Sequence, residues 1–314
     1  MVRHNICIES AIKFRLARPE NRVRAREYIQ HGEIILLLPW LCAHTPKTGI
    51  ERKSVFDQLC EAKGIPHAAN VAVYHDGRRL DDRAAFPATD LFSKIDGSYG
   101  GSEGRAWSYD AAQETWRNRE AILDAQSLDL HFQSMSSGGQ IVVQTRLTNA
   151  DTLAPLSNGY LCTSRVVVIR APGTAPRVLR AAFRMPVGDT QVDNFVSGGL
   201  AAIVDDTGRL SQAIQKKRGA HPVARHPDSG AQIQGYRIYG WSSVTDLALR
   251  AHEALTDLPT VGWDIALTPD GPVVEANIGW CAEILQMPES APLGAPFAEF
   301  FEEATRSRPA ASAA

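Results

Sequence analysis

Apolar and polar positions along this chain change their period several times, and each change predicts an element. "IERKSVFDQLCEAKG" sets Ile50, Val55, Phe56, Leu59 and Ala62 at helical spacing and ends on Gly64, which predicts one amphipathic helix. Short strand-like runs follow at 70–74 and 91–95, then a glycine-rich loop, "DGSYGGSEG", then a run at 106–109. Residues 115–128 carry Ala, Glu, Arg and Leu in helical favour and predict a second helix. From Ile141 the texture turns to strands: "IVVQTRL", "TSRVVVIR", "RVLRAAFRM" and "GGLAAIVDD". Residues 207–240 have no period and predict a long loop, a length that in a compact domain is usually functional or mobile. Helices are predicted at 244–255 and, shorter, at 295–304. Ahead of these, residues 1 to about 30 read as a basic helix. "IILLLPWLC" (34–42) is the most apolar run, too short to span a bilayer.

The stretch "VGWDIALTPDGPVVEANIGW" (261–280) reads as a hairpin turning at Pro269-Asp270-Gly271. Alternation puts Val261, Trp263 and Ile265 on one side and Gly262, Asp264 and Ala266 on the other. On the second strand Val273, Glu275 and Asn277 share a face, so Asp264 comes close to Glu275 and Asn277. Two close carboxylates repel unless a proton or cation stands between them. With an amide oxygen they form an all-oxygen set that suits Mg²⁺ or Mn²⁺ better than Zn²⁺. Taken alone, these residues fit equally a surface hairpin with solvated polar groups.

Composition narrows the classes. The 314 residues are 44% hydrophobic and 22% charged, ordinary for a soluble globular protein. A formal net charge of −2 gives no overall field toward nucleic acid or an acidic membrane. Cys7, Cys42, Cys60, Cys162 and Cys281 are scattered without metal-site spacing, which predicts reduced thiols and a cytoplasmic setting. Arg3, His4, Glu9, Lys13 and Arg15 interrupt any signal-peptide core. The expected class is α+β: a short N-terminal helical segment (1–49), a small lobe with the glycine loop (50–140), a larger lobe (141–306) and a disordered tail (307–314).

Three further stretches carry chemistry. In "LFSKIDGSYGGSEG" a strand bearing Lys94 runs into Gly97, Ser98, Gly100, Gly101 and Gly104, a loop whose backbone can approach phosphate oxygens. It is neither a Walker A loop nor a dinucleotide fingerprint. "VDNFVSGG" places Asp193-Asn194 ahead of Gly198-Gly199, and an Asx-turn accounts for it equally well. Arg165 and Arg184 interrupt apolar strands. Facing a cleft, their forks suit phosphate or carboxylate; on an open face they are merely solvated.

Together these stretches resemble the ATP-grasp enzymes. The hairpin resembles their metal-binding strand Asp followed by a Glu-x-Asn strand. "IERKSVFDQLCEAKGIPHA" is similar to the helix with the first ATP lysine, and "LFSKIDGSYGGSEG" to the second lysine and phosphate-covering loop. "VDNFVSGG" and "RHPDSGAQIQGYRIYGW" resemble the sugar-transfer-associated branch, and the likeness covers residues 50–286. It implies two α/β lobes clasping ATP, with Lys53 and Lys94 on its phosphates and Gly97 to Gly104 closing over them. By the same resemblance Gln144, Thr145, Arg146 and Leu147 form the hinge against adenine, and Arg165 reaches the γ-phosphate or acyl phosphate. Asn194 lies near the phosphates, and Asp264, Glu275 and Asn277 hold Mg²⁺ (or Mn²⁺).

The implied activity is ATP-dependent carboxylate–amine ligation through an acyl phosphate, in natural-product or glycan-related biosynthesis. The alternatives are phosphotransfer to a sugar or alcohol, and a non-catalytic nucleotide-binding partner. The expected partners are a small-molecule carboxylate and an amine, with no nucleic acid or membrane, and a homodimer is possible. In the long basic loop Arg225 and His226 are the candidates for clamping the carboxylate, and His221 and His226 for deprotonating the amine; a solvated loop accounts for them equally well. Two departures stand out: only about 50 residues precede Lys53, where a front domain would add about a hundred, and the hinge has no Glu for the ribose.

Overall fold

The computed structural model describes residues 6–43, 45–46, 49–81, 85–96, 104–188, 195–217 and 219–306. Gly97, Ser98, Gly100, Gly101, Asn194 and the 307–314 tail lie outside the described residues. In place of one long basic helix, the chain begins with α1 (Ile8–Lys13), α2 (Pro19–Arg22) and a 3-10 turn at Ala25–Glu27. The break falls at Arg15, whose φ of 54° is left-handed, and Asn21 secures it by donating to the Phe14 and Arg15 carbonyls. Pro19 then opens α2, where its missing N–H costs no helical bond. The apolar run forms α3 (His31–Cys42), with Glu33 accepting the Gln30 N–H at 2.7 Å.

Helix α4 (Lys53–Lys63) forms where the period placed it. Phe56 and Cys60, four apart, are buried, and Gly64 ends the helix at φ 62°, an αL cap. The helix expected over 115–128 is a correction. Residues Thr115–Arg117 and Ile122–Leu123 are strands, and helix begins only at Ala125, capped by Asp124, which accepts the Ser127 N–H at 2.8 Å. Asn118 reverses the chain between the strands by accepting the Glu120 and Ala121 N–H groups, and buried Trp116 pins the pair to the core. Local turn chemistry overrode helix propensity there.

One sheet has seven strands: β1 (Asn70–His75), β2 (Arg78–Arg79), β3 (Leu91–Ile95), β4 (Arg105–Asp110), β5 (Thr115–Arg117), β6 (Ile122–Leu123) and β7 (Ile141–Thr145). Their order is β2-β1-β7-β3-β4-β5-β6, backed by α5 (Ala125–Met135). Strand β7 therefore lies inside the first sheet, whereas the change of texture at Ile141 had grouped it with the later strands. After the short α6 (Ala154–Ser157) comes a six-stranded sheet of β8 (Thr163–Ile169), β9 (Arg177–Met185), β10 (Leu200–Val204), β11 (Leu210–Gln215), β12 (Thr260–Thr268) and β13 (Gly271–Asn277). It is ordered β11-β10-β9-β8-β12-β13. Strand β11 lies within the segment expected to be all loop. The remainder of that segment is tied by bridges at Ala213–Val223 and Arg225–Gln232. Its pattern "LSQAIQ" alternates too weakly to announce a strand, although Leu210, Ala213 and Ile214 are buried.

The second sheet has two covered faces. Val166, Val168, Val261 and Trp263 pack on α7 (Trp241–Leu255) and on Phe56 and Cys60 of α4. Val167, Ile169, Ala201, Ile203 and Ile214 face the N-terminal helices and α8 (Gly294–Thr305). Period-2 alternation puts Arg165, Arg184 and Asp264 on this second face, beyond its aliphatic part. The N-terminal segment and α8 meet so closely that a Cβ on Gly294 would lie 2.9 Å from the Glu27 carbonyl carbon, and nearer still to its oxygen. Backbone cannot swing aside as a side chain can. We expect Gly294→Ala to cost about 1–3 kcal/mol, read as a lowered urea midpoint with unchanged slope.

Candidate functional site

The hairpin supplies the centre. Asp264 on β12 stands opposite Glu275 on β13 in the hydrogen-bonded register, with Asn277 opposite Gly262. Their side chains therefore share one face, and Asn277 donates to Asp264 Oδ2 at 2.8 Å. The cations that relieve the carboxylates come from four elements. Arg165, paired with Asp264 across β8 and β12, grips it through Nε and through Nη2, the latter at 2.9 Å. Arg184 on β9 reaches Asp264 Oδ2 at 3.2 Å and is steadied by Thr163 Oγ1, which accepts from its Nε at 2.9 Å. Lys53, the first residue of α4, bonds one Glu275 oxygen, and Lys94 of β3 takes the other at 3.2 Å. Glu275 is thus held from both sheets at once.

Each charge is tuned by the same contest. Burial opposes ionisation of Asp264, but the Arg165 and Arg184 guanidiniums outweigh it and hold its pKa below the usual aspartate value. Burial opposes Glu275 as well, and Lys94 and Lys53 drive its pKa far down. For Lys94 burial wins, and its pKa falls below that of a free lysine despite Glu275, with Lys53 adding repulsion. For Lys53 burial pulls the same way, but the Glu275 charge prevails and raises the pKa. Four cationic side chains stand over two carboxylates, a surplus of two positive charges, or one if nearby Asp96 is counted. Such a surplus is suited to a polyanion.

Gly262 makes the packing possible. A Cβ there would meet Trp280 Cβ at 2.8 Å and Arg165 Cδ at 3.0 Å, so only glycine lets Arg165 lie flat across the strand. Gly104, at the far end of the glycine loop, is pressed against Phe92, whose ring would touch an added Cβ at 3.1 Å.

Of the residues singled out from sequence, Lys53, Lys94, Arg165, Asp264, Glu275 and Asn277 come together. Gln144, Thr145, Arg146 and Leu147 sit where the chain leaves β7 for the second sheet. The Gln144 amide is engaged by Asn70 Oδ1 at 3.0 Å, and Arg146 by Asp90 at 3.3 Å. Arg225 and His226 require correction. His226 is buried and bonds the Pro186 carbonyl at 2.9 Å, while Arg225 donates to the Gly230 carbonyl at 3.0 Å. Among the described residues no hydrogen bond or ion pair links either to the carboxylates. Both hold the fold of their own loop. Two participants escaped the site reading. Arg184 was visible as a charge inside "RAAFRM" but was not assigned to the site. Asp96 accepts the Lys53 N–H at 2.7 Å across 43 residues, a contact no local pattern signals.

Two antiparallel sheets thus meet through lysines and arginines over a carboxylate hairpin. The sequence model of the sugar-transfer associated ATP-grasp family matches residues 46–296, and the chain belongs to that family. Comparison with curated proteins gives no match. Among solved structures, it is similar to D-alanine–D-alanine ligase from Bacillus anthracis at 13% identity and TM-score 0.44, over 82% of this chain and 68% of that one. It is similar to N5-carboxyaminoimidazole ribonucleotide synthetase in its ADP complex at 12% identity and TM-score 0.35, over 72% of this chain. It is also similar to L-amino acid ligase from Bacillus licheniformis at 10% identity and TM-score 0.38, over 73% of this chain. The matched part is 43% of the synthetase and 40% of the amino acid ligase. Among the described residues no helix is long and apolar enough to cross a membrane.

The donors fit a hard cation. Asp264, Glu275 and Asn277 offer only oxygens in one register, too few to enclose a metal alone, and no trio of His, Cys, Asp and Glu does so among the described residues. One or two carboxylates completed by phosphate oxygens is the usual way Mg²⁺ is held.

The Asp264 pairing has a signed pH consequence. A carboxylate whose pKa is depressed by folding contributes stability above its unfolded value, near pH 4, and loses it as pH falls through the native value. Asp264→Asn is expected to cost about 3 kcal/mol at pH 7, because two buried guanidiniums lose their counter-charge. Urea unfolding at pH 7, 4 and 3 should show the gap from the wild type closing as the pH drops. A gap constant across that range would mean that the pair does not carry it.

Proposed function

We propose that the protein is an ATP-dependent ligase that joins a carboxylate to an amine. The observation that carries this reading is Glu275 held between Lys53 and Lys94, beside Asp264 gripped by two arginines. Lys53 and Lys94, now held by Glu275, would bind the phosphates of a triphosphate that the cationic surplus favours, leaving Glu275 to the accompanying cation. Asp264, Glu275 and Asn277 would hold that Mg²⁺ (or Mn²⁺), which supplies Lewis-acid neutralisation of the phosphate oxygens.

The chain's own residues do the rest. Lys53 and Lys94 fix the phosphates and hold the charge that builds on the transferring group. Thr145 and Leu147, at the exit of β7, are where the adenine would lie. Arg165 and Arg184 orient the acceptor carboxylate, whose oxygen attacks the γ-phosphorus as ADP leaves. The amine nitrogen then attacks the acyl carbon of that mixed anhydride, loses a proton, and expels phosphate. We assign no base to that proton, since His226 is committed to its own loop. None of the five cysteines is in a disulfide, which suits a cytoplasmic enzyme, and the family description suits natural-product or glycan-related biosynthesis.

Incubation with ATP, Mg²⁺, hydroxylamine and a panel of carboxylates tests the chemistry. A ligase yields a hydroxamate from its cognate acid. A stable phosphoester and no hydroxamate would turn the reading to phosphotransfer. Lys94→Ala should raise the ATP dissociation constant at least about tenfold, the loss of one charge-assisted contact. Unchanged affinity would remove Lys94 from the nucleotide site. Glu275→Gln should keep ATP binding, since it removes a competitor for both lysines, and lose hydroxamate formation.

A further inference from the structure

A second binding place lies away from these charges, between the N-terminal helices and the turn after β11. It is a cavity of about 630 Å³, within the range of about 300–1,000 Å³ usual for small-molecule sites. Its walls are Ile6, Leu16, Ile214, Ala220 and Met287, and Ile8 and Ile12 at its edge are 66% and 39% exposed. Large side chains left bare beside a hole that size are what an apolar ligand would cover. The charged lining is basic, with Lys13, Arg15, Arg18, Arg22, Lys217 and His221 and, among the described residues, no acidic one.

Lys13 is taken up by Glu283, and Arg22 by the Ala17 carbonyl. Among the described residues the side chains of Arg18, Lys217 and His221 have no hydrogen bond or ion pair. Arg15 donates through Nη2 to Met287 O at 3.1 Å and to Ser290 Oγ, and keeps a buried Nε without a partner. A buried donor left unpaired is costly, and an anionic ligand group at that point would satisfy it.

We propose that this cavity binds a single-chain amphiphile, its apolar chain inside and its anionic head, carboxylate or phosphate, against Arg15, Arg18 and Lys217. The site shares no residue with the carboxylate hairpin, and the proposal stands whether or not the protein is a ligase.

The test is calorimetric titration of the full chain, without ATP, using dodecanoate, dodecyl phosphate, dodecanol and acetate below their micellar concentrations. We expect one saturable site for the two anionic amphiphiles, the tighter of them naming the head group. Dodecanol should bind at least about tenfold more weakly, and acetate not measurably. Ala11→Trp, which puts a large ring into the cavity, should weaken both anions at least about tenfold. Arg18→Gln with Lys217→Gln should weaken them about threefold or more and leave dodecanol unchanged. Melting curves establish that both variants fold. No saturable binding by the wild type, equal binding of dodecanol, indifference to both variants, or displacement by ATP would each overturn the proposal.

Discussion

Glu275 is a carboxylate that belongs to one sheet and is neutralised by groups delivered from two directions. Lys94 comes from β3 of the seven-stranded sheet, and Lys53 from the first turn of α4. Neither lysine can be removed from the other's field, since both lean on one carboxylate, Lys53 on one oxygen and Lys94 on the other. Nearly everything in this end of the molecule follows from that arrangement. The hairpin must place Glu275 opposite Asp264, Arg165 must lie across Gly262 to reach Asp264, and α4 must begin where it does for Lys53 to arrive. Isolated ion pairs of this kind add little net stability once desolvation is counted. Their interest is that the groups are displaceable: each is held by a partner that a polyanion or a cation can replace.

How far this was legible in the sequence depends on the range of the interactions. The hairpin was legible because a period-2 pattern around a Pro-Asp-Gly turn fixes register locally, and register fixes which polar groups face each other. Helix α4 was legible for the same kind of reason, from Val55, Phe56, Leu59 and Ala62 to the glycine that ends it. Pairings such as Lys53 with Glu275, 222 residues apart, leave no trace in either segment alone. The family likeness brought both residues to one site, but on the phosphates and the metal and not on each other. Asp96 and Arg184 show what that route omits, since Asp96 stands inside a quoted motif without a role there, and each acts through a contact between elements.

The misjudged segments failed for identifiable physical reasons. Between Thr115 and Leu123 residue propensity favoured helix, but Asn118 made a turn and Trp116 had a core to enter, so tertiary burial decided. At the N-terminus the run of arginines suggested one solvated helix, while Arg15 and Pro19 divide it into pieces that can wrap a sheet face. The 207–240 segment looked featureless because its order comes from bridges and carbonyl contacts such as that of His226 with Pro186, which hydropathy does not register.

The contact between Asp96 and the Lys53 N–H joins parts with different allegiances. By packing, α4 is a member of the second sheet's core, through Phe56 and Cys60. Asp96 follows β3 directly and therefore travels with the first sheet. If the sheets separate at this edge, α4 stays behind and gives up the acceptor at its N-terminal end. Losing such a cap costs about 0.5–2 kcal/mol. The bond therefore fastens the end of a helix that packs on one sheet to the strand end of the other, and it fixes the residue from which Lys53 points inward.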